Sequence, residues 1–387
     1  MSRSLQLHRR AFVATVVVCA IAATWFWWSG TSDPLASALR PSEQSRIRQY
    51  IDEELPSRTW MRYAKSVVQD HEYPPAQAAR IYAYIASAYS DVYDATDDKR
   101  QAMRAPWYVI THLYPYTKRD ATLLLVAIQD NSEVTLSPKA TEIVDAYKKR
   151  WDEKESHGHP DVVIPTRKDL WIPVTEKGAH IDPLDPNAGS WPRWIITNDT
   201  FDMPAPPAVG SAKDAEEIQK MKDSLAQREA WRERIFIWWG GKGTGTPSWQ
   251  WQDIMYDVAA GTMDDKAYAR YQKNLAQALA DTFIICWDEK FIYWSARPWM
   301  RIPGFKPIAE TPPFPGYPSG HSTVSASAAV VLGAWFPEHA ADFMAMAEEA
   351  HDTRLYAGIH FEIDNTEGFA LGKRIGERLL EKIDIRK

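Results

Sequence analysis

The sequence is poor in cysteine. Its 387 residues hold only two: Cys19 in an apolar run near the N-terminus, and Cys286 between Ile285 and Trp287. Neither a disulfide framework nor a thiolate metal cluster can be built from these. A basic excess is missing as well: the formal charge is −6, so there is no cationic field for a phosphate backbone, and nucleic acid is not an expected partner. Only one long apolar run exists, Ala11 to Trp28, which excludes a polytopic membrane protein. Alternation of apolar and polar positions is almost absent, which argues against a sheet-based fold.

With 45% hydrophobic and 25% charged residues, the chain can bury a full core and is too apolar to be disordered. Apolar positions recur at helical spacing from Trp60 to Tyr89, with a break at Pro74-Pro75. The same reading gives helices over Ala121–Gln129, Thr141–Lys154, Lys213–Trp239, Trp251–Ala260 and Asp264–Tyr293. It continues with Ser322–Trp335, His339–Ala357 and Thr366–Lys387. The expected class is all-α, a helical bundle. Between His157 and Gly210 prolines come too often for a helix or a central strand. This long Pro/Trp-rich excursion, held by Trp171, Trp191 and Trp194, either serves function or wraps the domain.

The N-terminus reads as an export element. Arg9-Arg10 precede residues 11–28, a run that at about 1.5 Å per residue just spans a bilayer core of about 30 Å. The basic pair favours an N-in orientation, and Trp25, Phe26, Trp27 and Trp28 would form an aromatic belt. The competing reading is a cleaved signal with Ala36-Ser37-Ala38 as its small-residue site, and Arg9-Arg10-Ala11-Phe12 loosely fits a twin-arginine signal. Either way the bulk of the protein is expected outside the cytoplasm, tethered by one membrane helix or secreted. The expected organisation is an anchor or signal over 1–28, a linker over 29–58, helices plus excursion over 59–212, and a helical catalytic region over 213–387.

Chemistry concentrates between Trp287 and Asp364. Lys290 and Arg297 are seven apart, so they share one face if the helix reaches that far, with Trp287 a turn earlier. Pro318-Ser319-Gly320-His321 forms a turn that leads into a helix N-terminus, where unpaired N–H groups attract anions. His360 and Asp364 stand at i,i+4, so in a continuing helix the carboxylate orients the imidazole and sets its tautomer. Arg354 falls on the opposite side of that register unless Gly358 bends the chain. Gly240 to Pro247 is glycine-rich, but lacks the spacing and flanking strand of a phosphate-binding P-loop. Singly, these features are a basic stripe, a capped helix start and a core histidine. Together, three cations, two histidines and a carboxylate make a site for a tetrahedral oxyanion.

The set Lys290-x6-Arg297-Pro298, Pro318-Ser319-Gly320-His321 and Arg354-x5-His360-x3-Asp364 resembles the type 2 phosphatidate phosphatase (PAP2)/vanadium haloperoxidase superfamily. Thr353 departs from the pattern, in which serine precedes the arginine, but it keeps a hydroxyl. The resemblance implies that Lys290, Arg297 and Arg354 neutralise the oxyanion, with Ser319 and the Gly320 N–H donating to it. It further implies that His321 is the general acid/base and that Asp364 orients His360. In a haloperoxidase His360 would bind the vanadium of a vanadate cofactor; in a phosphatase, which needs no cofactor, it would attack phosphorus. Trp287 and Phe314 resemble the halide-side pocket of the chloroperoxidase-like branch. That points to hydrogen peroxide and halide as partners, with a phosphate ester as the alternative. A third reading, a membrane-tethered binding protein without catalysis, rests on the tryptophans of the excursion.

Overall fold

The computed structural model describes residues 45, 47–52, 54–128, 135–154, 163–167, 169–226, 230–240 and 246–383. The expected membrane or signal segment, most of the linker and Gly241 to Gly245 lie outside the described residues. Among the described residues, no helix is long and apolar enough to cross a membrane.

The N-terminal helices are α1 (Pro56–Asp70), α2 (Pro75–Thr96), α3 (Lys99–Leu113), α4 (Lys118–Ile128) and α5 (Pro138–Lys154). After the excursion come α6 (Ala212–Ala226), α7 (Ala230–Gly240) and α8 (Thr246–Ala259). The long α9 (Asp265–Tyr293), the single turn α10 (Pro298–Arg301), α11 (Gly320–Trp335), α12 (Ala340–Tyr356) and α13 (Glu362–Leu380) follow. Among the described residues pairing is limited to isolated bridges, Leu170 with Ser295 and Val174 with His180. The all-α expectation holds.

Local signals account for the helix ends. Pro56 and Pro75 open α1 and α2, where a missing N–H costs nothing. Asp98 caps α3 by accepting from the Arg100 N–H at 2.9 Å, and Asp264 caps α9 through the Ala267 N–H at 2.8 Å. The sequence reading missed α3, whose periodicity is interrupted by the internal Pro106. It also ran 213–239 together, where the chain forms α6 and α7.

Helix α9 is the central post, packed between α2 on one side and α11 on the other, and α11 is flanked by α12 and α13. One buried cluster runs from Trp60 and Tyr82 through Leu279 to Leu371, and each buried leucine contributes about 1.5–3 kcal/mol. α11 and α13 approach unusually closely. A Cβ on Gly372 would fall 2.0 Å from the Thr323 carbonyl oxygen, so only glycine fits there. That approach brings the starts of α11 and α13, and hence Ser319 and Asp364, side by side.

The excursion wraps α9. Buried Asp281 accepts three backbone N–H groups, from Trp194 at 2.6 Å, Ile195 at 2.8 Å and Ile196 at 3.1 Å. The Trp171 N–H donates to the Trp294 carbonyl at 2.6 Å, and the Arg80 guanidinium lies 3.7 Å from the Trp191 ring centroid. A loop of many prolines is thus held by backbone bonds to one carboxylate and by cation–π contacts.

Candidate active site

The site sits where α9 ends and α11 and α13 begin. α9 stops at Tyr293 because Trp294 takes a left-handed conformation with φ 50°. Arg297 therefore lies beyond the helix, as the N-cap of α10. The condition on which Lys290 and Arg297 would share a helix face is therefore not met; the chain reversal at Trp294 brings them together.

Lys290 is fully buried. Its ammonium donates to the carbonyls of Pro315 at 3.0 Å and Gly316 at 2.8 Å, and also to that of Pro318. All three N–H bonds hold the chain before Ser319, so here the lysine supplies field and scaffolding rather than a free donor. Burial lowers its pKa.

The arginines are different. Arg297 donates from Nε to the Phe314 carbonyl at 3.1 Å and from Nη1 to the Ile359 carbonyl at 2.7 Å. Arg354 donates from Nε to Thr353 Oγ1 at 3.0 Å, so the threonine hydroxyl does take part. Both guanidinium groups keep a buried Nη2 with no partner among the described residues. Burial lowers Arg297 to about 10 and Arg354 to about 9, so both stay charged at neutral pH. Buried charged donors without acceptors are costly unless a ligand fills them.

His360 is brought in by a bend. Gly358, at φ 75°, ends the path from α12, and α13 starts only at Glu362. The helix that would have to continue through His360 and Asp364 does not: the histidine precedes it and Asp364 is in its first turn. Arg354 is within electrostatic reach of His360, while its Nη1 lies against His321 at 3.2 Å. Asp364 Oδ2 lies 3.3 Å from His360 Nδ1 and accepts the Phe361 N–H at 3.1 Å. A carboxylate only accepts, so Nδ1 carries the proton and Nε2 keeps its lone pair. Nε2 lies 3.0 Å from Arg297 Nη1. Burial first, then Arg297 and Lys290, push His360 well below its ordinary value, so it is neutral at neutral pH. Burial also raises Asp364, against the pull of Arg297 and Lys290.

Ser319 is the N-cap of α11, but its side chain makes no capping bond. Its hydroxyl accepts from Ser322 Oγ at 3.1 Å, and its N–H donates to the Asp364 carbonyl at 2.8 Å. Gly320 starts the helix, against the edge of Trp287. His321 lies 3.1 Å through Nε2 from the Trp239 carbonyl and 3.2 Å from Arg354 Nη1. Burial and then Arg354 hold it well below its usual value. Trp287 and Phe314 meet with ring centroids 4.9 Å apart. Phe314 lies 5.1 Å from the Arg297 guanidinium, and Trp287 is tied through its indole N–H to the Leu184 carbonyl at 3.4 Å. All ten residues singled out in the sequence are thus gathered in one region.

The end of α7 was missed. Arg354 lies 4.5 Å from the Phe236 ring centroid, and a Cβ on Gly240 would fall 2.5 Å from His321 Nε2 and 2.8 Å from Arg354 Nη1. Gly240 heads the glycine-rich stretch that fails as a P-loop. Gly240 itself makes the close backbone approach, toward a different anion site.

A neutral histidine whose Nε2 faces Arg297, two guanidinium groups each with an unpartnered Nη2, and a helix N-terminus in the same region define an oxyanion-binding class of site on an all-helical scaffold. Residues 274–378 match the model of the PAP2 superfamily. Three solved structures share the fold. A bacterial vanadium-dependent iodoperoxidase aligns with TM-score 0.68 and 20% identity over 89% of this chain and 97% of its own. A holo-type bacterial vanadium-dependent chloroperoxidase gives 0.62 and 12% over 92% and 96%. An apo-type bacterial vanadium-dependent chloroperoxidase gives 0.60 and 11% over 80% and 94%. No curated protein matches the sequence.

Proposed function

We propose that the chain is a vanadate-dependent haloperoxidase that oxidises halide with hydrogen peroxide. The observation that carries this reading is the set of orphaned Nη2 donors on Arg297 and Arg354, together with the His360 Nε2 that faces Arg297 at 3.0 Å. That donor set fits a tetrahedral oxyanion, and it fits vanadate because a neutral imidazole nitrogen is a good transition-metal ligand. His360 would ligate the vanadium, and Arg297, Arg354, Ser319 and the Gly320 N–H would hold the oxygens. When bound, vanadate would supply Lewis-acid activation of hydrogen peroxide. Asp364 keeps the His360 proton on Nδ1, His321 holds or releases a proton beside Arg354, and Trp287 with Phe314 excludes water on the halide side. Whole-chain similarity of fold favours this branch, since it extends over the N-terminal helices that the PAP2 match does not reach.

The alternative is an acid phosphatase using the same cradle. Here His360 Nε2 attacks phosphorus and the ester oxygen leaves, protonated by His321; water then hydrolyses the phosphohistidine. The PAP2 match supports it. The extracytoplasmic setting stays part of the proposal, supported by Arg9-Arg10 and the apolar run behind them. The test is one preparation assayed two ways: halide oxidation with vanadate and peroxide, and phosphate release from an aryl phosphate without vanadate. The first activity without the second supports the lead reading. Phosphate release with no halide oxidation at any pH reverses it.

A further inference from the structure

Glu217 lies outside the PAP2-matched region, on α6, and it is almost completely buried, at 3% exposure. Its Oε2 accepts the Ile363 N–H at 2.7 Å, across 146 positions of sequence. Its Oε1 takes Lys220 at 3.1 Å. Ile363 is in the first turn of α13, so its N–H is one of the helix's orphan donors. The next residue is Asp364. A buried charge at a helix start interacts favourably with the dipole, and a charge-assisted bond there is strong.

The rest of α6 is built to keep Glu217 in place. Asp214 receives Arg301 Nη2 on both oxygens, at 3.0 Å and 2.8 Å, which ties α6 to the turn after Arg297. Met221 is buried with Ile302 and Phe361, and Ile218 and Ile363 pack against them. This small apolar cluster lies under the two segments that carry Arg297 and His360.

We propose that Glu217 is a positioning residue for the oxyanion site. It fixes the first turn of α13 so that Asp364 Oδ2 reaches both the Phe361 N–H and His360 Nδ1, and α6 is the brace that delivers it. The proposal rests on the oxyanion-site reading but not on which oxyanion is the natural occupant. Without Glu217, the Ile363 N–H turns to water, the first turn loosens and His360 loses its fixed aim. Partners that orient a ligating histidine are worth about 10- to 100-fold in affinity.

The test measures binding of orthovanadate and of inorganic phosphate by calorimetry on the whole protein, together with hydrogen exchange at the Ile363 amide. Glu217→Ala should weaken both anions by about tenfold and expose that amide. Glu217→Gln keeps an acceptor oxygen for the Ile363 N–H and should restore protection and most of the affinity. Equal anion affinity in folded Glu217→Ala and the parent overturns the proposal. So does a Glu217→Gln protein that folds yet leaves Ile363 unprotected, and this variant decides the matter if the alanine protein does not fold. A parent protein that binds neither anion would instead overturn the reading of the site itself.

Discussion

Arg297 Nη1 and His360 Nε2 lie 3.0 Å apart in a fully buried contact. The cation faces the lone pair of a neutral imidazole, an arrangement that a bound oxyanion would complete by accepting from the arginine while facing the histidine. The second arginine also borders a histidine, Arg354 Nη1 lying 3.2 Å from a His321 Nε2 whose other neighbour is the Trp239 carbonyl at 3.1 Å. Each cation–histidine pair is left with an unused Nη2 donor.

Arg354 is buried with Arg297 as an electrostatic opponent and with no carboxylate among the influences on its charge. Arg354→Gln should therefore raise or leave unchanged the melting temperature of the anion-free protein. It should also weaken phosphate or vanadate binding by about 1.5–3 kcal/mol, roughly 10- to 100-fold. Calorimetry and thermal unfolding on the same samples give both numbers. Loss of stability with affinity intact would assign the arginine a structural role.

Asp364→Asn keeps the size of the side chain but lets an amide N–H face His360. The proton on Nδ1 is no longer favoured, so Nε2 loses its reserved lone pair. Vanadate affinity should fall by about 10- to 100-fold, read by titration followed by 51-vanadium resonance. Equal affinity would show that the carboxylate does not set the tautomer.

Gly240→Ala introduces a Cβ at 2.5 Å from His321 Nε2 and 2.8 Å from Arg354 Nη1. Alanine favours helices over glycine by about 1 kcal/mol, so α7 itself should not suffer. The expected result is loss of turnover and of anion affinity with no drop in thermal stability. Turnover equal to the parent would mean that α7 does not wall the site.

Proton uptake should accompany anion binding. In the free protein His321 is held well below its ordinary value by burial and by Arg354. A bound anion offsets that cationic field and raises the histidine pKa. The bound state then carries more protons than the free state, so affinity for a non-titrating anion such as sulfate increases as pH falls. The gain sets in where the bound-state histidine begins to titrate, and it saturates below the free-state value. Calorimetry in two buffers of different ionisation heat measures the uptake directly; His321→Gln should abolish most of it. Binding without proton uptake in the parent would contradict the assigned electrostatics.

The sequence carried the site better than the path to it. Each charged or aromatic residue singled out between Trp287 and Asp364 is found in the site region, because motif chemistry needs those side chains whatever backbone delivers them. Helical periodicity ends α9 correctly at Tyr293, but pairing Lys290 with Arg297 and His360 with Asp364 is conditional on helices reaching both members, which they do not. The breaks come from Trp294 in the left-handed region and from Gly358, and a tryptophan in that conformation has no signature in sequence. The roles of Gly240, Trp239 and Glu217 were not legible for another reason. Each acts through a contact with a residue more than 80 positions away, which no local pattern encodes. The helix at Lys99–Leu113 was hidden by Pro106, which tertiary packing tolerates.

Vanadate titration of halide oxidation tests the central claim most directly. Protein freed of oxyanions is supplied with hydrogen peroxide and iodide or bromide, and orthovanadate is added stepwise. Activity should appear with vanadate, saturate at one equivalent per chain, be suppressed competitively by phosphate and vanish in His360→Ala. Halide oxidation that needs no vanadate, or that survives in His360→Ala, would contradict the account.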